Sequence, residues 1–212
     1  MTNSIVVLGA NGGIGRHAVV TALDAGYEVT AILRTPAKLD LSHPRLTIVQ
    51  GDILHPGELV QHLKNKDAVI SAIGATGLKE TTLYSAGCKN LIWAMQKAGA
   101  DRAFFISASG LEVNPTHSFL VRFATRFILQ AILRKMYADL WAMEKIVKES
   151  AINWTIMRPP RLTNDPAMGV YRVAIDQPLD NGLKISRADV AHFMIGNLLN
   201  PATFKRTVEI GY

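Results

Sequence analysis

Two rhythms of apolar and polar positions alternate along the first half of the chain. Short runs rich in β-branched and aromatic residues are SIVVLGA (4–10), YEVTAILR (27–34), LTIVQGD (46–52), DAVISAIGA (67–75) and DRAFFISAS (101–109), and they read as strands. Between them, residues 14–25, 57–64 and 81–98 carry apolar positions at helical spacing. Strands separated by helical stretches imply parallel βαβ units. The first, fourth and fifth runs are apolar on both parities, as a sheet covered by helices on both faces requires. The expected fold class is therefore α/β, a doubly wound parallel sheet.

The second half is less regular. Residues 119–150 are helix-forming throughout, with no proline or glycine. WTIMRPP (154–160) reads as a sixth strand ended by Pro159 and Pro160, and VYRVAI (170–175) as a further short strand. Ser186 is placed to cap a helix running through Asn200. Asp189 at its third position makes a capping box with aspartate in the usual glutamate place. RTVEIGY (206–212) is a last strand. No repeat or linker divides the chain. The expectation is one domain over 1–212, with a small substrate-side portion from about 111–140 and 159–185.

A chain of 212 residues suits one large α/β domain and is too short for a second full one. Its 49% hydrophobic and 19% charged residues are an ordinary globular balance. The lone Cys88 forbids an intrachain disulfide and fits a reducing compartment. The apolar run Ile5 to Leu8 is too short for a signal peptide, and no stretch approaches the ~18 apolar residues of a membrane span. A cytoplasmic location follows as the expectation. The net charge of +6 suits anionic ligands. No zinc-finger spacing or aromatic ribonucleoprotein strand accompanies it, so the expected partner is a small molecule and not nucleic acid.

The sharpest motif is GANGGIG, in which Gly9, Gly12 and Gly15 form a GxxGxxG pattern with Gly13 as an extra. It follows a strand and opens a helix. There, side-chain-free residues let the backbone turn sharply and approach a pyrophosphate, which the helix N-terminus attracts. The pattern therefore predicts the dinucleotide-binding turn of a Rossmann fold. An NAD-selective site usually carries Asp or Glu at the end of the second strand, about 20 residues on. Here Arg34 stands there, 19 residues after Gly15. A guanidinium can grip a ribose 2′-phosphate, so NADP(H) is expected over NAD(H), with Lys38 and Arg16 as candidate helpers.

Together GANGGIGRH, ILR, GDIL, ISAIGA and RPP resemble the atypical short-chain dehydrogenase/reductase family with an NAD(P)H-binding, NmrA-like core. GVYRVAID and ISRADVAHFMIGNLL are most similar to its biliverdin-IX-beta reductase and flavin reductase branch. The resemblance implies that Gly9, Asn11, Gly12, Gly13, Ile14 and Gly15 hold the pyrophosphate and Arg34 the 2′-phosphate. It implies that Asp52 and Ile53 flank the adenine and that Ala72, Ile73 and Gly74 lie along the middle of the cofactor. Ser107 and Ala108 would approach the nicotinamide ribose, with Pro159 and Pro160 beside the nicotinamide.

The chain departs from the family where a side chain would catalyse. The Tyr-x-x-x-Lys pair is absent, since Trp141 stands four residues after Tyr137 and Lys145 eight. Ala108 matches the serine of the reductase branch, and Arg161 stands where the beta reductase has a histidine. Ser109 and Tyr137 are the candidate catalytic residues. A ketone reductase needs a strong side-chain acid, whereas a flavin-, quinone- or tetrapyrrole-like acceptor can take its proton from solvent. The expected function is thus NADPH-dependent reduction of a small conjugated acceptor. The alternatives are an NADP(H)-binding redox sensor of NmrA type, reporting to a partner protein, and an epimerase/dehydratase-like enzyme.

Other constellations carry little. His55 and His62 lack companion ligands, so no metal is expected, and no Gly-x-Ser-x-Gly elbow is present. Residues 119–135 form a basic amphipathic stretch with Arg122, Arg126, Arg134 and Lys135, and no acid lies between Glu112 and Asp139. Three readings stay open for it: a lid over an anionic substrate, contact with a membrane surface or partner protein, and a solvated helix packed on the sheet.

Overall fold

The structure, a computed structural model, describes residues 3–75 and 82–212. The expected start of the third helix, Thr81, lies outside them. The first half of the chain lays down five parallel strands. These are β1 (Ser4–Leu8), β2 (Glu28–Leu33), β3 (Leu46–Gln50), β4 (Ala68–Ser71) and β5 (Arg102–Ile106). Helices α1 (Gly13–Asp24), α2 (Pro56–Leu63) and α3 (Leu83–Ala98) connect them, each close to its expected position. After β6 (Asn153–Arg158) the chain adds β7 (Arg161–Thr163), β8 (Arg172–Ile175), β9 (Lys184–Ser186), α7 (Arg187–Gly196) and β10 (Arg206–Gly211).

The main sheet has eight strands in the order β3-β2-β1-β4-β5-β6-β10-β8. All its pairs are parallel except β10 with the edge strand β8. The order reverses between β1 and β4. In doubly wound sheets this switch point leaves a crevice beyond the C-terminal strand ends. Strand parity sets the two core layers. Ile5 and Val7 face the layer that includes Ala18, Val190 and Met194, while Val6 and Leu8 face the layer that includes Leu91, Met95 and Val147. Accordingly α1 packs beside α7 on one face, and α3 beside α6 (Arg134–Glu149) on the other. Cys88 is buried in the second layer, where desolvation pushes its thiol up and keeps it protonated.

Three features differ from the pattern-based expectation. The stretch 119–150 is not one helix. It runs as α4 (Phe119–Ala124), a wide π-type segment Thr125–Leu129 and α5 (Gln130–Ile132), then breaks at Leu133 (φ −95°, ψ 10°) before α6 (Arg134–Glu149). β7 and β9, three residues each, pair in parallel as a separate small sheet and are too short to show a rhythm. The last helix ends at Gly196 rather than Asn200, because the Asn197 side chain turns back to the Phe193 carbonyl at 2.9 Å.

The capping box on α7 forms only in half. The Ser186 hydroxyl accepts from the Asp189 N–H at 3.0 Å. The Asp189 carboxylate accepts not from the Ser186 N–H but from the Ser186 hydroxyl at 3.0 Å, the Met168 and Gly169 N–H groups and the Tyr212 hydroxyl, tying the 168–169 turn and the final residue to the helix start. No helix of the described residues is long and apolar enough to cross a membrane.

Candidate cofactor and substrate cleft

A cleft of about 680 Å³ opens where the strand order reverses. Its floor begins at the glycine turn. Gly9 has φ +75°, a left-handed value that favours glycine, and a Cβ there would stand 2.4 Å from the Ala72 carbonyl oxygen on β4's extension. The Gly12 N–H donates to the Gly9 carbonyl at 2.9 Å, closing the turn. At Gly15 a Cβ would lie 2.2 Å from the same carbonyl oxygen, so this glycine lets α1 sit against β1. The first turn of α1 has no side-chain cap and no acidic residue, so its N–H groups are left for an outside acceptor.

The sequence-predicted cofactor residues converge here. Gly9, Asn11, Gly12, Gly13, Ile14, Arg34, Asp52, Ile53, Ala72, Ile73, Gly74, Ser107, Ala108, Pro159 and Pro160 all line the cleft. Gly15 lies behind the wall in its packing role. Arg34 is exposed at the end of β2 and makes no hydrogen bond or ion pair among the described residues, whereas Arg16 is engaged with the Asp40 carbonyl at 3.1 Å. The loop after β3 is held in place locally. The Asp52 carboxylate accepts from the Leu54 N–H at 3.0 Å, and the Asn90 side chain donates to the Ile53 carbonyl at 3.0 Å.

The two candidate catalytic residues are not among the lining residues. Ser109 opens the short turn after β5, where its N–H donates to the Pro159 carbonyl at 3.0 Å. Tyr137 is buried in the core layer, with its hydroxyl beneath Gly110, and burial pushes its pKa up. Ser107 reaches the cleft, but its hydroxyl points away to donate to Glu144 at 2.7 Å. Glu144 also receives Arg158 through Nε (2.8 Å) and Nη2 (2.7 Å), and Lys148 at 3.0 Å. Burial alone would raise the Glu144 carboxyl. The Arg158 hydrogen bonds and charge, the Ser107 hydroxyl and Lys148 together outweigh burial and hold it below the usual carboxylate range.

Arg187 is a charged cleft residue that sequence reasoning missed. It opens α7, and its Cδ and Nε stand 2.3 and 2.5 Å from where a Cβ on Gly13 would be, so the guanidinium arm crosses the glycine turn. Its Nη1 donates to Asn164 at 2.7 Å. A signal existed: a cation in the first helical turn opposes the helix dipole, so α7 alone does not account for it.

At the other end the cleft turns apolar, with Ile106, Met136, Leu140, Pro159, Pro160 and Leu162. Among the described lining residues, formal charge is confined to Arg34, Asp52 and Arg187. No group of described His, Cys, Asp or Glu residues could hold a metal ion. The glycine cradle that side chains would fill, the open first turn of α1 and the nearby Arg34 fit a dinucleotide carrying phosphates.

Known proteins align with this geometry. A family model described as NAD(P)H-binding matches residues 9–201. An uncharacterised chloroplastic protein of Arabidopsis thaliana is 32% identical over 99% of this chain and 76% of its own length. Among solved structures, a wide-type short-chain dehydrogenase/reductase from Veillonella parvula in complex with NADP covers 100% of this chain and 95% of its own, at 21% identity and TM-score 0.77. The anaerobilin reductase ChuY of Escherichia coli O157:H7 covers 99% and 97%, at 19% identity and TM-score 0.79. At these identities the two structures bear on the fold alone.

Proposed function

The chain belongs to the NAD(P)H-binding family, and on that premise we propose that it is an NADPH-dependent reductase of a small conjugated acceptor of flavin, quinone or tetrapyrrole type. One observation carries this reading: the cleft pairs a glycine cradle with an apolar far end, and among its described lining residues formal charge is confined to Arg34, Asp52 and Arg187, while the Tyr84 hydroxyl accepts from the Ala75 N–H at 3.0 Å. Bound NADPH would supply the hydride. The protein's part is to bind, orient and exclude water. The α1 N-terminus and the bare backbone of Gly9 to Gly13 would receive the pyrophosphate, with Arg187 as its counter-charge. Arg34 would take the 2′-phosphate and set the preference for NADP(H). Pro159 and Pro160, with Met136, Leu140 and Leu162, would form the apolar slot in which a flat acceptor stacks. An acceptor of that class takes its proton from water, so neither Ser109 nor Tyr137 needs to donate one. The substrate-side portion would come from within 111–140 and 159–185, and the buried free thiol suits a reducing cytoplasm.

The test is turnover of NADPH with a panel of flavins, quinones and biliverdin, followed at the nicotinamide absorbance. Oxidation with any member supports the reductase. Tight NADP(H) binding with no turnover across the panel favours a redox sensor and overturns it.

Two variants examine the assigned cations by calorimetry. Arg34→Asp is expected to lower the NADPH-to-NADH affinity ratio at least ~10-fold, because a charge-assisted phosphate contact becomes a repulsion. An unchanged ratio removes Arg34 from the 2′-phosphate. Arg187→Ala is expected to weaken NADPH and NADH alike by about 10-fold, since the pyrophosphate is common to both. Selective loss of one nucleotide would place it elsewhere.

A further inference from the structure

The stretch from Phe119 to Ile132 is the one part of the described helical structure that is rich in large apolar side chains yet buries none of them. α4, the π-type segment and α5 contain no buried residue, whereas α6 buries six of its own. Phe119 and Leu120 are each 76% exposed, Phe127 59% and Ile132 58%. Phe119, Phe123 and Phe127 stack into a continuous ridge, with successive ring centroids 6.3 and 4.7 Å apart. So much contiguous exposed apolar surface marks an interaction face.

The charges beside the ridge identify its occupant. Arg122 and Arg126 are exposed, one helical turn apart, and Arg126 lies over the Phe127 ring at 5.8 Å. Arg134 is exposed as well, and among the described residues no ion pair holds any of the three. The chain carries no acid from 113 to 138. A second copy seated on the same ridge would bring two such arrays together with no carboxylate of the stretch to pair them. A surface that offers both hydrocarbon and dense negative charge satisfies both halves of the face. We propose that residues 119–134 lie on an anionic lipid bilayer, the phenylalanine ridge entering the acyl boundary and the arginines contacting phosphate headgroups. The Gln130 side chain donates to the Gly110 and Leu111 carbonyls at 3.1 and 3.0 Å, so the docked helix is anchored to the turn after β5 rather than hung on a free loop. The proposal does not depend on the reductase reading.

The experiment is cosedimentation of the full chain with vesicles of phosphatidylglycerol and phosphatidylcholine in equal parts, and with pure phosphatidylcholine. Wild type is expected to sediment with the anionic vesicles alone and to be released by salt. The triple variant Phe119→Ser/Phe123→Ser/Phe127→Ser and the double variant Arg122→Glu/Arg126→Glu are each expected to lower partitioning at least ~10-fold while melting like wild type. Three results overturn the proposal. One is no sedimentation with anionic vesicles, and another is equal binding to neutral ones. The third is a solution dimer by analytical ultracentrifugation that the triple variant dissolves, which would assign the ridge to a second copy.

Discussion

Gly12→Val is expected to abolish measurable NADP(H) binding, a loss of at least ~100-fold or about 2.7 kcal/mol, while leaving the fold intact. Gly12 is the residue before α1, with φ −77° and ψ 166°, values open to any L-residue. A Cβ there would meet the Gly9 carbonyl oxygen at 3.1 Å and the Ala72 carbonyl at 3.8 Å, which small adjustments can relieve. The rest of a valine would project into the cleft, where the pyrophosphate must approach the backbone. Gly15→Ala is the counterpart. Its Cβ would stand 2.2 Å from the Gly9 carbonyl oxygen and 2.8 Å from its carbon, so β1 and α1 must part. That variant is expected to lose about 2–4 kcal/mol of folding stability, within the range of overpacked and strained substitutions. Calorimetry and thermal melts on both proteins separate the two roles. Gly12→Val that binds nucleotide normally, or Gly15→Ala that melts like wild type, would break the assignment of one glycine to the ligand and the other to packing.

Why these glycines were legible in the sequence, and other site residues not, comes down to the range of the interaction. The turn is local: Gly9, Gly12 and Gly15 sit within one strand-turn-helix unit, and each answers a steric demand made by its near neighbours. Strand identity was legible for the same reason. Burial on both parities of Ile5 to Leu8 needs only helices on both faces, and helical stretches flanked those strands in sequence. Arg34 was legible because a rule ties its position to the turn. Arg187 obeys no such rule, since it reaches Gly13 from 174 positions away through the packing of α7 on α1. Asp189 looked like half of a local capping box, yet its carboxylate serves the 168–169 turn and Tyr212, contacts that exist only once β10 and α7 have docked. The break at Leu133 left no proline or glycine to announce it. It occurs where α6 must turn onto the sheet, so tertiary packing overrides a uniformly helical propensity. The proposed lipid face was half legible. The bases and phenylalanines were plain in the sequence, but which surface the fold leaves bare was not.

Arg158→Ala is expected to cost about 3–5 kcal/mol, roughly 10 °C in melting temperature for a chain of this size, without entering the cleft at all. Arg158 ends β6 with its side chain 6% exposed and serves two carboxylates, the 1% exposed Glu144 and the half-exposed Glu112 at 2.9 Å. Removing it leaves Glu144 charged and buried with only Lys148 and Ser107, and a stranded buried charge costs more than the pair contributes. The pH dependence follows from the sign of the shift. Glu144 titrates below its unfolded value, so its contribution is fully present above the unfolded glutamate pKa of about 4.3 and is lost as pH falls through the lower, folded value. Wild type should therefore lose stability in acid faster than the charge-free double variant Glu144→Leu/Arg158→Met. That double variant should also recover most of what Arg158→Ala forfeits, because an apolar pair of similar volume escapes the desolvation cost. Melting curves of the three proteins at neutral and acidic pH decide the matter. If Arg158→Ala melts within a degree or two of wild type, the guanidinium is not what keeps the Glu144 charge in the core. Ser107 connects this to the cleft: its hydroxyl is tied to Glu144, so protonating the carboxylate loosens the wall beside Ala108. The acid limb of NADPH affinity should then track the acid limb of stability, and in the double variant the two should separate.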